Sequence, residues 1–314
     1  MGNQSSSDTN RKYGWRRDNP DWRDKTKYFS IVNNKNTISD LREKCPNIYN
    51  QLNLGSCTAN ALAFAYQFDE KTEDFTPSRL FIYYNERKME NTIDSDSGAS
   101  LRDGIKTINK IGVCNEDNWI YDPNNFTDKP PENCYNEAKL HRSVRYHKIK
   151  QELNQFKGCI KSGYPFVFGF SVYQSFESDE VASTGIMPLP AKDEKLLGGH
   201  AVAAVGFDDS KKCMIVRNSW GEDWGDNGYF YMPYKYIINP SFCSDFWVVE
   251  KVADLQPKNE DNEKQNSEPE KDNDNKELEV VNDNEKNNDN TDEEFELDKE
   301  GFDSNNNETI NYII

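Results

Sequence analysis

Apolar positions follow a helical pattern in the first part of the chain and an extended pattern in the second. Residues 57–69 (CTANALAFAYQFD) are apolar on nearly every side, which predicts a helix buried all round. Ser56 precedes this run as a predicted N-cap. Residues 76–88 and Ser100–Ile111 predict two further helices, the second ended by Gly112. The first half of the globular region is therefore expected to be helical.

Short runs rich in β-branched and aromatic residues predict strands in the second half, where Gly, Asp and Asn separate them. Helices followed by strands indicate the α+β class. The charged stretch KLHRSVRYHKIK, residues 139–150, is instead expected to be a helix-like, solvated face that carries His141 and His147. The predicted strands are Pro165–Tyr173, His200–Phe207, Cys213–Asn218, Gly228–Met232 and Phe246–Val252.

Acidic charge is concentrated at the end of the chain. The formal net charge is −17, and residues 255–314 hold 20 Asp and Glu against 6 Lys, which leaves −3 for the first 254 residues. Because these last residues are almost free of large apolar side chains, we expect a disordered acidic tail over 255–314. Residues 38–254 are expected to form the globular domain, and residues 1–37 a polar, mildly basic leader. A chain this acidic is not expected to be a general nucleic-acid binder.

Cys57 stands where a nucleophile is favoured. It lies at the predicted N-terminus of the buried helix, where free N–H groups and the helix dipole lower the pKa of a thiol. A free cysteine is otherwise most often a small buried apolar residue, and the six other cysteines lack this setting. A thiolate nucleophile also needs a base, a group that orients the base, and donors for an oxyanion. His200 follows Cys57 by 143 residues, Asn218 follows it by 161, and Gln51 precedes it by six, so the chain can supply all of these groups.

Three motifs in this order resemble those of the papain-like cysteine peptidases. They are QLNLGSC ending at Cys57, GHAV containing His200, and NSWG beginning at Asn218, and the likeness covers about Ile38 to Val252. The segments CPNIYNQLNLGSCTANALA, SRLFIYYNER and SGASLRDGIKTINKIGVC resemble the compact bacterial, archaeal and viral branch of that family. The Asn- and Lys-rich composition is typical of an AT-rich genome and suggests a giant virus of amoebae as the source.

The resemblance implies a fold and an activity. The fold would be α+β and two-lobed, with a mainly helical lobe over about 57–145 and a mainly antiparallel, β-rich lobe over about 146–254. The activity would be that of a cysteine-type endopeptidase, which hydrolyses peptide bonds of protein or peptide substrates through a thioester acyl-enzyme.

The same resemblance implies a role for each candidate residue. Cys57 would be the nucleophile, and His200 its general base and acid. Asn218 would hold the imidazole of His200. The side chain of Gln51 and the backbone N–H of Cys57 would form the oxyanion hole. Gly98 would pair through its backbone with an extended substrate. The indole of Trp220 would shield the histidine from water.

The chain departs from the common pattern of the family at three points. Thr58 follows the nucleophile in place of an aromatic residue, and this change is expected to alter the cleft wall on the leaving-group side. Leu54 replaces a cysteine three residues before the nucleophile, so one familiar disulfide cannot form. Only about 37 residues precede the matched region, in place of the large helical pro-domain of secreted relatives.

Two readings of the leader and two other functions remain open. Tyr13–Phe29 either folds over the cleft and restrains activity or packs on the back of the domain. The chain could also be a catalytically silent papain-like binding module, although such a module has no need of the whole Cys, His, Asn and Gln set. It could further be a Cys-His acyltransferase, although these enzymes generally use Asp where this chain has Asn218.

The sequence predicts a cytoplasmic protein, in a host cell or a virion if it is viral. It has no apolar run near the roughly 18 residues of a membrane span and no secretory signal. The six other cysteines are then expected to be reduced, whereas three disulfides would suit a secreted or packaged chain. MGNQSS fits N-myristoylation at Gly2, which would allow membrane contact. With three histidines and no Cys-x-x-Cys pair, neither a metal nor a cofactor is expected.

Overall fold

The computed structural model of this 314-residue chain describes residues 11–30, 37–69, 74–142 and 144–251. The first ten residues and the predicted acidic tail lie outside the described residues, so the disorder of the tail stays a prediction. The helices of the described part are α1 (Cys57–Phe68), α2 (Arg79–Met89), α3 (Leu101–Lys110), α4 (Glu132–Ala138), α5 (Leu153–Lys161), α6 (Asp179–Thr184) and α7 (Tyr234–Ile237), with 3₁₀ turns at Arg42–Lys44, Pro123–Asn125 and Gln174–Glu177. None of these helices is both long and apolar enough to cross a membrane.

The described strands form two sheets. They are β1 (Trp15–Arg16), β2 (Thr26–Lys27), β3 (Ile38–Asp40), β4 (Ala99–Ser100), β5 (Val144–Ile149), β6 (Phe166–Tyr173), β7 (Leu196–Asp208), β8 (Cys213–Arg217), β9 (Tyr229–Pro233) and β10 (Cys243–Lys251). The larger sheet has the order β2-β5-β10-β6-β7-β8-β9, and β3 pairs with β7 beside this path. All of its pairs are antiparallel except β2 with β5, and β1 forms a separate parallel pair with β4.

Helix α1 lies at the centre of the molecule. Ten of its twelve residues are buried, because β7 covers one side of it and α2 and α3 cover others. A helix that is apolar all round is stable only with such complete cover. Strand β7 is buried from His200 to Asp208, since it runs between β6 and β8 and beneath α1. The start of α1 is thereby brought against the middle of β7.

Aromatic packing holds the β-rich part together. Phe166, Phe168 and Phe170 alternate along β6 and are fully buried on the same face of the strand. Phe246 of β10 stacks on Phe168 with ring centroids 5.4 Å apart, and Phe156 of α5 stacks on Phe166 at 5.1 Å. This core fixes the sheet that carries β7.

The α+β class and the predicted core elements are confirmed, with one correction at residues 139–150. The three predicted helices and five predicted strands occur with ends that differ by at most four residues. Residues 144–149, expected to be a helix-like face, instead form β5, which pairs with β10. The sequence pattern was misleading here because a strand near the edge of a sheet can keep several charged side chains solvated. His141 is not simply solvated either, since its ring stacks on Phe75 with centroids 4.4 Å apart.

Candidate active site

Cys57 is the first residue of α1 and is fully buried. The predicted N-cap at Ser56 is wrong in its chemistry, because the side chain of Ser56 caps no backbone N–H. Its hydroxyl instead lies 2.5 Å from the hydroxyl of Tyr121 and accepts a hydrogen bond from the side chain of Asn60. The free N–H groups at the start of α1 therefore remain directed toward the region of the Cys57 thiol.

His200 and Asn218 form a hydrogen bond that determines which imidazole nitrogen is free. Nε2 of His200 lies 2.8 Å from Oδ1 of Asn218, and that oxygen also accepts the backbone N–H of Ser219. Because Oδ1 is an acceptor, Nε2 carries the hydrogen and Nδ1 of the neutral ring keeps its lone pair. Nδ1 is buried and makes no hydrogen bond, and the backbone N–H of Ala201, the next residue, hydrogen-bonds the Cys57 thiol. The free base nitrogen thus lies on the side of the ring that does not face Asn218.

The indole of Trp220 covers this hydrogen-bonded pair. It stacks on the imidazole of His200 with centroids 5.0 Å apart and planes 26° apart, and is itself backed by Trp224 at 4.9 Å. Only 8% of Trp220 is exposed. An apolar ring in this position keeps water away from the bond between His200 and Asn218, and the bond is stronger in such surroundings.

Gln51 is held by two contacts on opposite sides of its amide. Its Oε1 accepts a hydrogen bond of 2.7 Å from the hydroxyl of Ser219, and its Nε2 donates to the carbonyl of Leu54 at 2.9 Å. The second hydrogen of Nε2 is directed to the carbonyl oxygen of Lys12 at 3.3 Å. Sequence reasoning did not find Ser219, although it lies inside the motif that begins at Asn218. Its hydroxyl fixes the orientation of the amide, so that Nε2 points into the cleft.

The backbone of the leader passes through the site. The carbonyl of Gly14 accepts a hydrogen bond from the N–H of Ala99 at 2.8 Å, and the backbone N–H of Gly14 hydrogen-bonds the Cys57 thiol. A Cβ on Gly98 would lie 1.9 Å from the Gly14 carbonyl oxygen, and one on Gly14 would lie 1.7 Å from the carbonyl oxygen of Gly55. The chain therefore crosses a passage that admits only glycine, and Gly98 lies in its wall.

Leader side chains fill the space on either side of this crossing. The Trp15 ring lies against Gly169 and Gly199, where added Cβ atoms would be 1.8 and 2.7 Å from its carbons. Tyr13 meets the rings of His200 and Trp220 edge-on at 6.3 and 6.5 Å. The Arg11 guanidinium lies 4.3 Å above the Trp220 ring.

Ion pairs attach the leader along its length. They join Arg11 to Glu177, Lys12 to Asp96, Arg16 to Glu90, Asp24 to Arg102 and Lys148, and Lys27 to Glu250. Asp18 is buried and accepts hydrogen bonds from the backbone of Arg102 and from the indole of Trp247. The leader is therefore tied to both the helical and the β-rich parts.

A family comparison agrees with this arrangement. Residues 35–239 match the model of the papain family cysteine proteases. An uncharacterised peptidase C1-like protein of Acanthamoeba polyphaga mimivirus is 46% identical over an alignment of 279 positions, which covers 79% of this chain and 90% of the relative. The chain belongs to the papain family of cysteine proteases. It is a hydrolase of the cysteine endopeptidase class, and the similarity to a viral protein agrees with the source that the composition suggests.

Solved structures are similar to this papain-family chain over most of its length. Xylellain, a cysteine protease from Xylella fastidiosa, is 41% identical, with a TM-score of 0.70 over 77% of this chain and 98% of its own. Procathepsin L 3 of the Tenebrio molitor larval midgut shares the fold at 14% identity, with a TM-score of 0.58 over 77% of this chain and 76% of its own. The bacterial and viral relatives agree with the expected compact branch of the papain family.

Burial opposes ionisation of the candidate pair in this papain-family site. Burial raises the pKa of the Cys57 thiol to about 11, although hydrogen bonds from the backbone of Ala201 and Gly14 act in the lowering direction. Burial also lowers the pKa of His200 to about 4, against the raising effect of Asn218, and the charge of Arg11 lowers it further. With the leader in place, desolvation of the thiolate outweighs the backbone hydrogen bonds that favour it, so the pKa lowering expected at the helix N-terminus is not seen in this arrangement.

Thr58, the residue after the nucleophile, is fully buried, and its hydroxyl donates to Oε1 of Glu86 at 2.6 Å. Its expected effect on the cleft wall stays a prediction. Burial raises the pKa of Glu86 well above its ordinary value, although the bond from Thr58 lowers it. A protonated Glu86 explains how a carboxyl group is tolerated against α1. The structure thus replaces the usual aromatic residue with a buried polar pair.

The remaining cysteines and histidines were the other candidates for chemistry in the sequence. All seven cysteines are free thiols. Within the described ranges, no three His, Cys, Asp or Glu side chains converge as metal ligands would. His147 lies in β5, and burial lowers its pKa.

We expect the Cys57 thiol to react slowly with iodoacetamide at pH 7.5, because a thiol with a pKa of about 11 is almost wholly protonated there. The rate should rise with pH toward that value. Trp15→Ala removes the largest leader anchor and should increase the rate at pH 7.5 by about ten-fold or more, because water then reaches the thiol. Mass spectrometry of the Cys57 peptide measures the modification.

Trp22→Ala is the matched control, since Trp22 belongs to the same leader but is 93% exposed. It should leave the rate unchanged. An equal rate for wild type and Trp15→Ala would contradict the assignment of the high thiol pKa to burial by the leader.

Proposed function

We propose that the chain cleaves peptide bonds with Cys57 as nucleophile and His200 as general base and acid. The observation that supports this assignment most directly is the bond from Nε2 of His200 to Asn218, which leaves Nδ1 free on the residue next to Ala201, whose backbone hydrogen-bonds the Cys57 thiol. An Asn in this place orients the imidazole without carrying a charge of its own. Gln51 would serve a peptide substrate as an oxyanion donor, and Gly98 would pair with its backbone.

The reaction proceeds by acyl transfer to sulfur. Nδ1 of His200 takes the thiol proton as Sγ of Cys57 attacks the carbonyl carbon, and the same proton then goes to the departing amine as the C–N bond breaks. In the second half, His200 takes a proton from water as the oxygen attacks the thioester. The C–S bond breaks, the acid product leaves, and the proton returns to the thiolate.

The oxyanion of each tetrahedral intermediate would lie between Gln51 Nε2 and the backbone N–H of Cys57. Ser219 holds the Gln51 amide in the required orientation through Oε1. The carbonyl of Lys12 now receives the Nε2 hydrogen bond, as a substrate carbonyl would during the reaction. Gly98 and Ala99 would pair with an extended substrate in the place where Gly14 now lies.

We also propose that the leader, residues 1–37, restrains the peptidase domain of residues 38–254. Substrate and leader compete for the cleft, because the Gly14 backbone hydrogen-bonds the Cys57 thiol and Trp15 lies against Gly169 and Gly199, so wild type is active only in the fraction of molecules whose leader is displaced. Trp15→Ala should therefore raise the initial rate of peptide hydrolysis, with Trp22→Ala as the unaffected control. An unchanged rate in Trp15→Ala would contradict the proposal that the leader restrains the enzyme.

Treatment with an irreversible peptidyl epoxide that targets papain-like enzymes tests the proposed nucleophile. Intact-mass analysis should show a single adduct on wild type and none on Cys57→Ala. The adduct should form faster on Trp15→Ala, because the cleft is then open. If correctly folded Trp15→Ala remains unlabelled, the silent-module alternative is favoured.

Gln51→Ala should lower kcat for a peptide substrate by about a hundred-fold to a thousand-fold, because one oxyanion donor is lost. KM should change little, since the lost bond is strongest in the transition state. Gln174→Ala, the same change at an exposed glutamine, is the control. A kcat within a few-fold of wild type would contradict the assignment of Gln51 to the oxyanion hole.

We further propose that the protein acts in the cytoplasm and is N-myristoylated at Gly2. The first ten residues lie outside the described part, and the proposal depends on the sequence MGNQSS and the basic residues that follow it. Expression with a myristate analogue should label the wild type and not Gly2→Ala. An unlabelled wild type excludes the modification.

A further inference from the structure

A groove of about 690 Å³ lies away from the cleft, between the leader, α3 and β5. We call it the basic groove. Cationic side chains dominate its lining, although the chain as a whole has a net charge of −17. Its cations are Arg23, Lys25, Lys106, Lys110 and Arg145.

Most of these cations are not neutralised by neighbouring carboxylates. The groove contains two carboxylates, of which Asp21 pairs with Arg23, and Asp24 pairs with Arg102 and Lys148. Among the described residues, the other four cations (Lys25, Lys106, Lys110 and Arg145) have no ion-pair partner. Like charges that face one another cost stability, and a bound anion would remove that cost.

His147 also lies among these positive charges. It lines the groove, and its Nδ1 is shielded from solvent without a hydrogen-bond partner. Burial is the main cause that lowers its pKa, and the charges of Lys27, Arg145 and Lys25 lower it further, whereas Glu250 acts in the opposite direction.

One wall of the groove is the edge of β5. There the carbonyl of Val144 accepts a hydrogen bond from the side chain of Asn109 and β2 pairs with Lys148 and Ile149, so Tyr146 between them is the open position for a further strand. Strand β2 pairs with β5 only at Lys148 and Ile149, and the N–H of Lys148 donates to the carbonyl of Lys25. Alternate residues of a strand direct their backbone groups to the same side, so Tyr146 directs its N–H and C=O into the groove. No strand of the described chain lies beside Tyr146 on that side.

This combination selects among anionic ligands. A phosphate chain could neutralise the cations but has no donor for the carbonyl of Tyr146. An extended peptide supplies both a backbone donor and an acceptor, and its alternate side chains can place carboxylates against the cations. We propose that the basic groove binds an extended, acidic segment of a partner polypeptide, added as a strand beside β5.

Such a ligand would also stabilise the leader in its present position. Its effect on activity rests on the proposed restraint by the leader. Arg23 and Lys25 belong to the leader, whereas Lys106, Lys110 and Arg145 belong to the domain. A ligand that touches both groups binds best while the leader is in place. By linkage it therefore stabilises the leader on the cleft and lowers peptidase activity.

Fluorescence polarisation with a labelled 12-residue peptide of alternating Glu and Val tests the binding directly, without any use of activity. The full chain should bind it, more weakly as salt increases, and should not bind the matched Lys and Val peptide. The triple variant K106E/K110E/R145E should lose about ten-fold or more in affinity. The control K139E/K161E/K192E makes the same charge change at exposed lysines elsewhere and should bind like wild type.

Three further ligands test the strand pairing. The Glu and Val peptide with N-methyl groups on alternate amides should bind at least about ten-fold more weakly, because it cannot pair with Tyr146. Polyphosphate and oligothymidine should compete poorly. Wild-type affinity in the triple variant, or equal binding of polyphosphate and both peptides, would overturn the proposal in favour of a general anion surface or none.

Peptide hydrolysis in the presence of the acidic peptide then tests the link to the leader. The peptide should lower the initial rate of wild type and have little effect on Trp15→Ala. Binding without any effect on the rate would support the peptide site in the groove but refute its link to the leader.

Discussion

The packing of α1 against β7 is the contact on which the candidate site depends. Cys57 and His200 are 143 residues apart in the sequence, and only this contact brings the first turn of the helix beside the middle of the strand. Because α1 has no solvated face, its position is determined by apolar contacts on every side. Asn218 follows directly after β8, so that one helix and two neighbouring strands position the three candidate catalytic residues.

The burial that assembles this site also suppresses its chemistry. Desolvation favours the neutral thiol and the neutral imidazole, and it outweighs the backbone hydrogen bonds at Cys57 and the hydrogen bond between His200 and Asn218. Part of the covering material is the leader, which contacts both the thiol and the Trp220 ring. A single displacement would therefore open the cleft and make the two reacting groups easier to ionise.

Small residues decide where the leader can lie. Gly14 crosses between Gly55 and Gly98, and the Trp15 ring occupies the space that side chains at Gly169 and Gly199 would fill. None of these glycines marks a leader contact when the sequence is considered alone, since each could serve a turn or a strand. The folded backbone places them around one passage, and only there is it clear that together they leave room for the leader.

The sequence by itself determined the class of fold, the main helices and strands, and the candidates for the reacting residues, because buried periodicity and short motifs are local properties. It did not determine that residues 144–149 form a strand, that Thr58 pairs with Glu86 behind the nucleophile, or that Ser219 orients Gln51. Nor did it determine the thiol pKa, where a local rule about helix termini predicted the opposite direction. Each of these features depends on groups far apart in the chain, and the tertiary structure decided them by setting how much water and which partners each group retains.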